Sequence, residues 1–184
     1  MNDTQRKTDR DSALNTSRES TWQTTRVQQL IETLKLAPHP EGGWYRETYR
    51  ASPETSDSRP ASTCIYFLLS SETRSKFHRI DADEGWHHYE GDTVRVHLLS
   101  GREHTHLDVG PLCPSAEPQA MVPAGLWFGA EVLPGPHGYA LVGCTVAPAF
   151  DFNRFELADP DQLIKSMPEH RELIERISST SSSV

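Results

Sequence analysis

Short apolar runs, separated by Gly, Pro and polar residues, dominate the middle of the chain. Residues 62–70 (STCIYFLLS) are apolar almost throughout, which predicts a central strand covered on both faces. Residues 93–100 (TVRVHLLS) alternate instead, which predicts a strand with one buried face. About nine or ten segments of these kinds occur, and many short strands separated by turns predict a sandwich or a barrel.

Helical spacing is found on both sides of this strand-rich region. Apolar residues recur at helical spacing from Val27 to Leu34, which predicts an amphipathic helix that ends before Pro38. Toward the C-terminus, Asp159 is a suitable helix cap with Pro160 at the first helical position, and a second short helix follows. We therefore predict an all-β fold with short flanking helices.

The two ends of the chain differ from the rest in composition. Residues 1–23 and 179–184 are polar and rich in Ser and Thr, so they have too little apolar surface to offset the entropy of ordering. We predict a disordered tail at each end. Residues 24–178 then form a single domain, which is long enough for a sizeable core.

The composition limits the classes of partner. The chain has 18 Lys and Arg against 26 Asp and Glu, a formal net charge of −8, which argues against nucleic acid or an acidic membrane as the main partner. No stretch resembles a membrane helix or a signal peptide, so we expect a cytoplasmic protein. The three cysteines have no paired spacing and predict neither a disulfide framework nor a zinc site.

The segment 77–91 (FHRIDADEGWHHYEG) has the highest density of chemically active side chains and is the candidate site. His78 and Glu84 lie on consecutive predicted strands joined by a tight turn. Antiparallel neighbours would place them roughly 5 Å apart, within reach of one ligand. Burying such groups without partners is costly, so their concentration calls for a functional explanation.

Strand alternation assigns the remaining residues of this segment to two faces. Glu84, Trp86 and His88 share one face, and His87 shares the other face with Tyr89. A bulge near the glycine before Trp86 would exchange His87 and His88. Which of the two histidines faces the pocket therefore stays open.

The spacing of these residues resembles the first motif of the cupin superfamily, His78-x-Ile80-x3-Glu84-x6-Gly91. The sequence PAGLWF at residues 123–128 resembles the second motif, in which a histidine normally occupies the position of Phe128. About thirty residues separate the two motifs, as in cupins. The resemblance implies a double-stranded β-helix, or jelly-roll, barrel.

The chain is most similar to a family of small, mostly uncharacterised cupins, the fifth of the numbered cupin families and long described as a domain of unknown function. The similarity extends over about residues 25 to 157 and includes PHPEGGWYRET at 38–48, FHR at 77–79 and EGWHHYEG at 84–91. It implies a homodimer. It also implies a pocket for a small-molecule ligand.

The resemblance limits the metal chemistry of the site. Metal-binding cupins supply three histidines and a glutamate, but two of the matching positions here are Ile80 and Phe128, which cannot coordinate. A reduced set of His78, Glu84 and His88 would suit a divalent transition metal. Without a metal, His78 would titrate near neutral pH and Glu84 would orient it, an arrangement for general acid–base catalysis.

Three functions follow from these alternatives. The first is a metal-independent isomerase- or epimerase-like enzyme acting on a sugar- or nucleotide-like metabolite, with His78, Glu84 and His88 as its catalytic groups. The second is a non-catalytic small-molecule binding protein, and the third is a metal-dependent cupin enzyme.

Further residues complete the predicted pocket. We expect the ligand to be bound by a set of aromatic, imidazole and guanidinium side chains: Trp86, His87, Phe128, Arg46 and Trp127. By contrast, we interpret His39 and the following Glu41-Gly42-Gly43 as a turn without a functional role.

Overall fold

The computed structural model describes residues 26–55 and 58–179. The predicted N-terminal tail, residues 1–23, lies outside these residues, as does the predicted C-terminal tail apart from Ser179. Residues 26–34 form a helix, α1, as predicted from their apolar spacing.

Eleven strands and further short helices follow α1 within the described residues. In chain order they are β1 (Ala37–Pro38), β2 (Trp44–Arg50), β3 (Thr63–Ser70), β4 (Arg74–Ile80), β5 (Asp83–Gly91), β6 (Val94–Ser100), β7 (Glu103–Val109), β8 (Gln119–Val122), β9 (Trp127–Val132), β10 (Tyr139–Ala147), a 3₁₀ turn (Phe152–Arg154), β11 (Phe155–Leu157), α2 (Pro160–Ser166), a second 3₁₀ turn (Pro168–His170) and α3 (Arg171–Ser178).

The strands form two antiparallel sheets that pack face to face. Sheet A has the strand order β1-β2-β3-β10-β5-β8, and sheet B has the order β11-β4-β9-β6-β7. This arrangement confirms the predicted all-β jelly roll with flanking helices. The two strands beyond the nine predicted segments are β1 and β11, which have only two and three residues and therefore no readable periodicity.

The main core lies between the two sheets and consists of the inward-facing residues of both. Its largest fully buried members include Phe67 of β3, Trp86 of β5 and Phe128 of β9. On the outer face of sheet A, α1 packs Leu30 against Leu68. On the outer face of sheet B, α2 and α3 form a second apolar cluster with β4.

The C-terminal helices begin and dock as their sequences require. The side chain of Asp159 accepts hydrogen bonds from the backbone of residues 161 and 162, with Pro160 at the first helical position, so the predicted cap is confirmed. In α3, Ile177 is fully buried against sheet B. Arg176 of the same helix forms an ion pair with Glu131 of β9.

The predicted pairing of the strands that carry His78 and Glu84 is wrong. β4 pairs with β9 and β11 in sheet B, whereas β5 pairs with β10 and β8 in sheet A. The turn between β4 and β5 carries the chain from one sheet to the other. His78 and Glu84 therefore reach the interior from opposite sheets.

β2, β4 and β5 each contain a bulge, and those in β4 and β2 change which residues of the cavity face the interior. In β4, Ser75 pairs with Ala130 and His78 with Phe128, so β4 has one residue more than β9 between these pairs. In β2, the register shifts after Glu47, and Thr48 is the additional residue. A bulge places residues i and i+3 on the same face, where simple alternation would place them on opposite faces.

Within the described residues, no helix has the length and apolar character needed to cross a membrane.

Truncating Ile177 tests the docking of α3. Ile177 is 0% exposed, so Ile177→Ala leaves a cavity against sheet B and we expect it to lower the free energy of unfolding by about 2–5 kcal/mol. Urea-induced unfolding measures this loss. Arg171→Ala, an exposed position on the same helix, is the control and should cost less than about 0.5 kcal/mol. Equal, small losses in the two variants would contradict the packing described for α3.

Candidate functional site

A cavity of about 110 Å³ lies between the two sheets and opens to solvent. Residues from β2, β3, β4, β5 and β10 line it, together with the loop after β1 and the segment after β10. The lining is mostly apolar and includes the aromatic side chains of Tyr45, Phe67, Phe150 and Phe152. The ionisable residues in the lining are His39, Glu41, Glu47, Arg50, His78, Glu84 and Cys144, together with Tyr45.

The loop between β1 and β2 inserts Glu41 into this cavity. The backbone N–H of Lys76 donates to the carbonyl of Glu41 at 2.9 Å, which ties the loop to β4. Gly42 and Gly43 have φ angles of 115° and 69°, and a Cβ atom on Gly42 would collide with the carbonyl of Arg74. The two glycines therefore let the loop approach β4 closely enough for Glu41 to be only 6% exposed.

Three polar side chains surround the carboxyl group of Glu41. The hydroxyl of Ser75 donates to Oε1 at 2.8 Å. Oε2 lies 3.3 Å from Nε2 of His78 and 3.4 Å from Nδ1 of His39. The bulge in β4 makes this cluster possible, because it turns both Ser75 and His78 toward Glu41.

The ring nitrogens of the two histidines have distinct roles. Nδ1 of His78 lies 2.7 Å from the carbonyl of Lys76 and must donate to it, since a carbonyl only accepts. In neutral His78, Nε2 is then an acceptor directed at Glu41. Nδ1 of His39 accepts the backbone N–H of Glu41 at 3.4 Å, so it too is an acceptor in this arrangement.

These contacts favour the neutral forms of all three groups. A proton on Oε2 of Glu41 would meet two acceptor nitrogens, whereas a carboxylate there would face two lone pairs. Burial raises the pKa of Glu41, and burial lowers the pKa values of His78 and His39. The cluster therefore holds a proton that can pass between Glu41 and His78.

Glu84 enters the cavity from sheet A, opposite His78 of sheet B. It is 8% exposed, and burial raises its pKa to about 7 despite the opposing effect of His78. The thiol of Cys144 on the neighbouring strand β10 also lines the cavity, and burial together with the nearby carboxyl group of Glu84 raises the pKa of Cys144. Glu84 is thus a carboxyl group that exchanges its proton near neutral pH.

Two of the predicted site residues, His78 and Glu84, lie in the cavity lining, and the others do not. Trp86 is buried in the core against Phe67. Phe128 packs behind the His78 ring, with centroids 4.0 Å apart. These two residues shape the site from behind and do not face the cavity.

The adjacent histidines of β5 are also outside the lining. The bulge in β5 is at Tyr89, since Leu141 and Val142 of β10 pair with Glu90 and His88, so pairing from Glu84 to His88 is regular. His88 therefore shares the inner face with Glu84, but its Nε2 lies 3.2 Å from the carbonyl of Gly91. His87 is on the outer face, where Nε2 lies 3.2 Å from Thr145 Oγ1.

The remaining predicted binding residues lie on outer faces of the sheets. The guanidinium of Arg46 lies over the ring of Tyr66, 5.6 Å from its centroid. On sheet B, the guanidinium carbon of Arg79 lies over the ring of Trp127, 4.6 Å from its centroid. Because successive side chains of a strand point to opposite faces, Arg46 and its neighbour Glu47 lie on different faces of β2, and it is Glu47 that lines the cavity.

The main residue missed from the sequence is Glu41. The sequence of its loop indicates only a turn, and 37 positions separate Glu41 from His78, so no short motif links the two. The available signal was a carboxylate directly before two glycines. Such a pair permits close backbone approach and can bring the preceding side chain into an interior.

The residues at the cupin metal positions lack two of the donors that the resemblance implies. Ile80 and Phe128 are buried apolar residues without a donor atom, and His88 is bonded away from Glu84. Among the residues that the structure describes, no group of three or more His, Cys, Asp or Glu is placed to hold a metal ion. The residues at the cupin metal positions therefore do not fit a metal.

Comparisons with known proteins place the chain in a family. Residues 28–158 match the family described as Cupin superfamily (DUF985). A crystal structure of a protein from Shewanella oneidensis is 36% identical, with a TM-score of 0.77, over 82% of this chain and 96% of that one. A hypothetical protein from Leishmania major is 33% identical, with a TM-score of 0.76, over 82% of this chain and 97% of that one.

More distant structures share the fold alone. A variant of oxalate decarboxylase from Bacillus subtilis is 15% identical, with a TM-score of 0.50, over 76% of this chain and 36% of that one. A search of curated proteins gave no match.

The raised pKa of Glu84 predicts a specific pH dependence of stability. Between its ordinary value of 4.5 and its folded value of about 7, the folded state holds the proton more tightly than the unfolded state, so stability falls as the pH rises through this window. Relative to Glu84→Gln, we expect the free energy of unfolding of the wild type to fall by about 3 kcal/mol across it.

Urea-induced unfolding at a series of pH values measures this difference. Glu172→Gln, at an exposed position on α3, is the matched control and should follow the wild type at every pH. Parallel curves for the wild type and Glu84→Gln would show that the Glu84 carboxyl is not held in its neutral form by burial.

Proposed function

This chain belongs to the DUF985 family of the cupin superfamily, and we propose that it is a metal-independent enzyme of the isomerase or epimerase type that moves a proton on a small metabolite. Glu84 and the His78–Glu41 pair are its acid–base groups. The family itself does not supply an activity, since cupin barrels include enzymes as well as proteins without catalysis.

The observation that carries this proposal is the pair of buried carboxyl groups facing one cavity, Glu84 from β5 and Glu41 from the loop that is tied to β4. Glu41 and Glu84 are 6% and 8% exposed, and neither has a Lys or Arg partner among the described residues. Two carboxyl groups without a cationic Lys or Arg partner are costly for a small domain to bury. Perturbed groups of this kind concentrate at sites where proton transfer is the function.

The geometry supports a proton transfer through an enediol. Glu84, ionised in part near neutral pH, removes a proton from a carbon next to a carbonyl group. The His78–Glu41 pair donates its proton to the carbonyl oxygen, which gives an enediol. A proton then returns to either carbon of the enediol, and a hydroxyl group of the enediol loses its proton to His78. These transfers complete an isomerisation or an epimerisation without any oxidant.

The size of the cavity narrows the substrate. Its volume of about 110 Å³ is below the roughly 150 Å³ of a protein cavity that binds benzene. The tryptophans expected to hold a sugar or nucleotide ring lie elsewhere, Trp86 in the core and Trp127 on an outer face. We therefore propose that only a small hydroxycarbonyl group enters the cavity, whatever the rest of the substrate is.

Hydrogen exchange with solvent tests this function directly. In D₂O, we expect the wild type to incorporate deuterium next to the carbonyl of small hydroxyaldehydes and hydroxyketones, measured by NMR. Glu84→Gln should lower the rate at least about 100-fold, because general-base catalysis contributes about 10²–10⁴. Glu41→Gln should lower it as well, while Glu172→Gln on exposed α3 should not. Binding of these compounds without exchange would favour a non-catalytic binding protein.

We also propose that the protein is a homodimer formed through the outer face of sheet A. Tyr49, Tyr89 and Met121 lie on this face and are 54%, 54% and 51% exposed. Beside them, Nε of Arg46 is buried without a hydrogen-bond partner among the described residues. An exposed apolar patch next to an unsatisfied donor supports an interface.

Sedimentation velocity tests the dimer. We expect the wild type to sediment as a dimer and Tyr89→Glu as a monomer, because a charge buried in an apolar interface is not compensated. Leu157→Glu, at an exposed position on β11 of sheet B, is the control and should remain dimeric. A monomeric wild type, or a dimeric Tyr89→Glu variant, would refute this interface.

A further inference from the structure

The mouth of the cavity carries an ion pair that the mechanism does not use. Nε and Nη2 of Arg50 donate to the two carboxyl oxygens of Glu47, at 3.0 and 2.7 Å. The bulge at Thr48 is the reason that these two residues, three apart on one strand, face the cavity together. Nη1 of Arg50 donates to the carbonyl of Phe150 at 3.1 Å, which fixes the guanidinium in place.

Among the described residues that line the cavity, Arg50 is the only Lys or Arg. Its charge is matched by Glu47, and both of the carboxyl oxygens are engaged. Deeper in the cavity, the carboxyl groups of Glu41 and Glu84 offer no positive charge to an anion. A bound carboxylate would therefore lie among three acidic residues, Glu41, Glu47 and Glu84, with no unpaired cation in the described part of the lining.

We propose that Glu47 determines the charge specificity of this cavity: by neutralising Arg50, it restricts the site to uncharged hydroxycarbonyl compounds and excludes their carboxylate counterparts. The choice of a hydroxycarbonyl rests on the proposed function above. The exclusion of anions rests on the lining itself and holds for a binding protein as well.

A single substitution at Glu47 should reverse the preference of the cavity for uncharged ligands over carboxylates. In Glu47→Gln, the side chain keeps its length but loses its charge, and Arg50 remains held by the carbonyl of Phe150. The guanidinium then becomes an unmatched cation at the mouth, with a planar donor pair suited to a carboxylate. The side chains of Arg50 and Glu47 are 43% and 37% exposed, so the loss of their ion pair should leave the fold intact.

The probes are dihydroxyacetone and hydroxypyruvate, which share a skeleton and a hydroxyketone but differ in that one terminal group is a carboxylate. NMR titration of the full-length protein gives the affinity of each. For the wild type, we expect dihydroxyacetone to bind at least about tenfold more tightly, since Arg50 is already matched by Glu47 and the partly ionised Glu84 disfavours a second negative charge in the cavity. For Glu47→Gln, we expect the ratio of affinities to shift at least about tenfold toward hydroxypyruvate.

Two further variants separate this effect from a general change in charge. Glu47→Gln combined with Arg50→Gln should lose the gain in hydroxypyruvate binding, because the released cation is gone. Glu156→Gln removes the same charge from an exposed pair with Arg79, outside the cavity, and should keep the wild-type ratio.

Each result decides the proposal. It is overturned if the wild type binds hydroxypyruvate as tightly as dihydroxyacetone, if it does not bind dihydroxyacetone, or if Glu47→Gln and Glu156→Gln give the same ratio. Binding with the expected ratios but without hydrogen exchange would instead refute the proposed enzyme and leave the charge specificity standing.

Discussion

The burial of the Glu41 carboxyl group against His78 is the interaction on which the site depends. Moving a carboxyl group out of water is expensive, and here the cost is reduced by a proton shared with His78 and by the hydroxyl of Ser75. The loop that supplies Glu41 can reach this position only through its two glycines. The tertiary contact between loop and β4, more than either element alone, therefore determines the chemistry of the cavity.

The neutral state of the cluster has an energetic consequence. His39, Glu41, His78 and Glu84 all have pKa values displaced toward their uncharged forms by burial. A protein interior that keeps such groups neutral is ready to accept or release a proton when a ligand changes its surroundings, but it gives up stability whenever they ionise. Reactivity and the cost in stability thus have the same physical origin, which is desolvation.

The sequence predicted the fold well because strand periodicity and turn residues are local signals. It also placed His78 and Glu84 together, although through a wrong strand pairing. Alternation failed wherever a bulge intervened: it gave no reason to bring Ser75 toward His78. Local pattern likewise could not show that Trp127 faces away from the barrel, or that a loop far along the chain delivers Glu41, since these facts follow from sheet order and long-range contact.

The additional residue in β4 constrains how this protein can change. Substitutions along the strand alter one contact at a time, and many are compatible with the barrel. Deleting a single residue between Ser75 and His78 would preserve the sheets but rotate one of the two out of the interior, so that Glu41 would lose a partner. Within this stretch, the number of residues is therefore specified more strictly than their identity, and insertions and deletions here should be rarer among active relatives than substitutions.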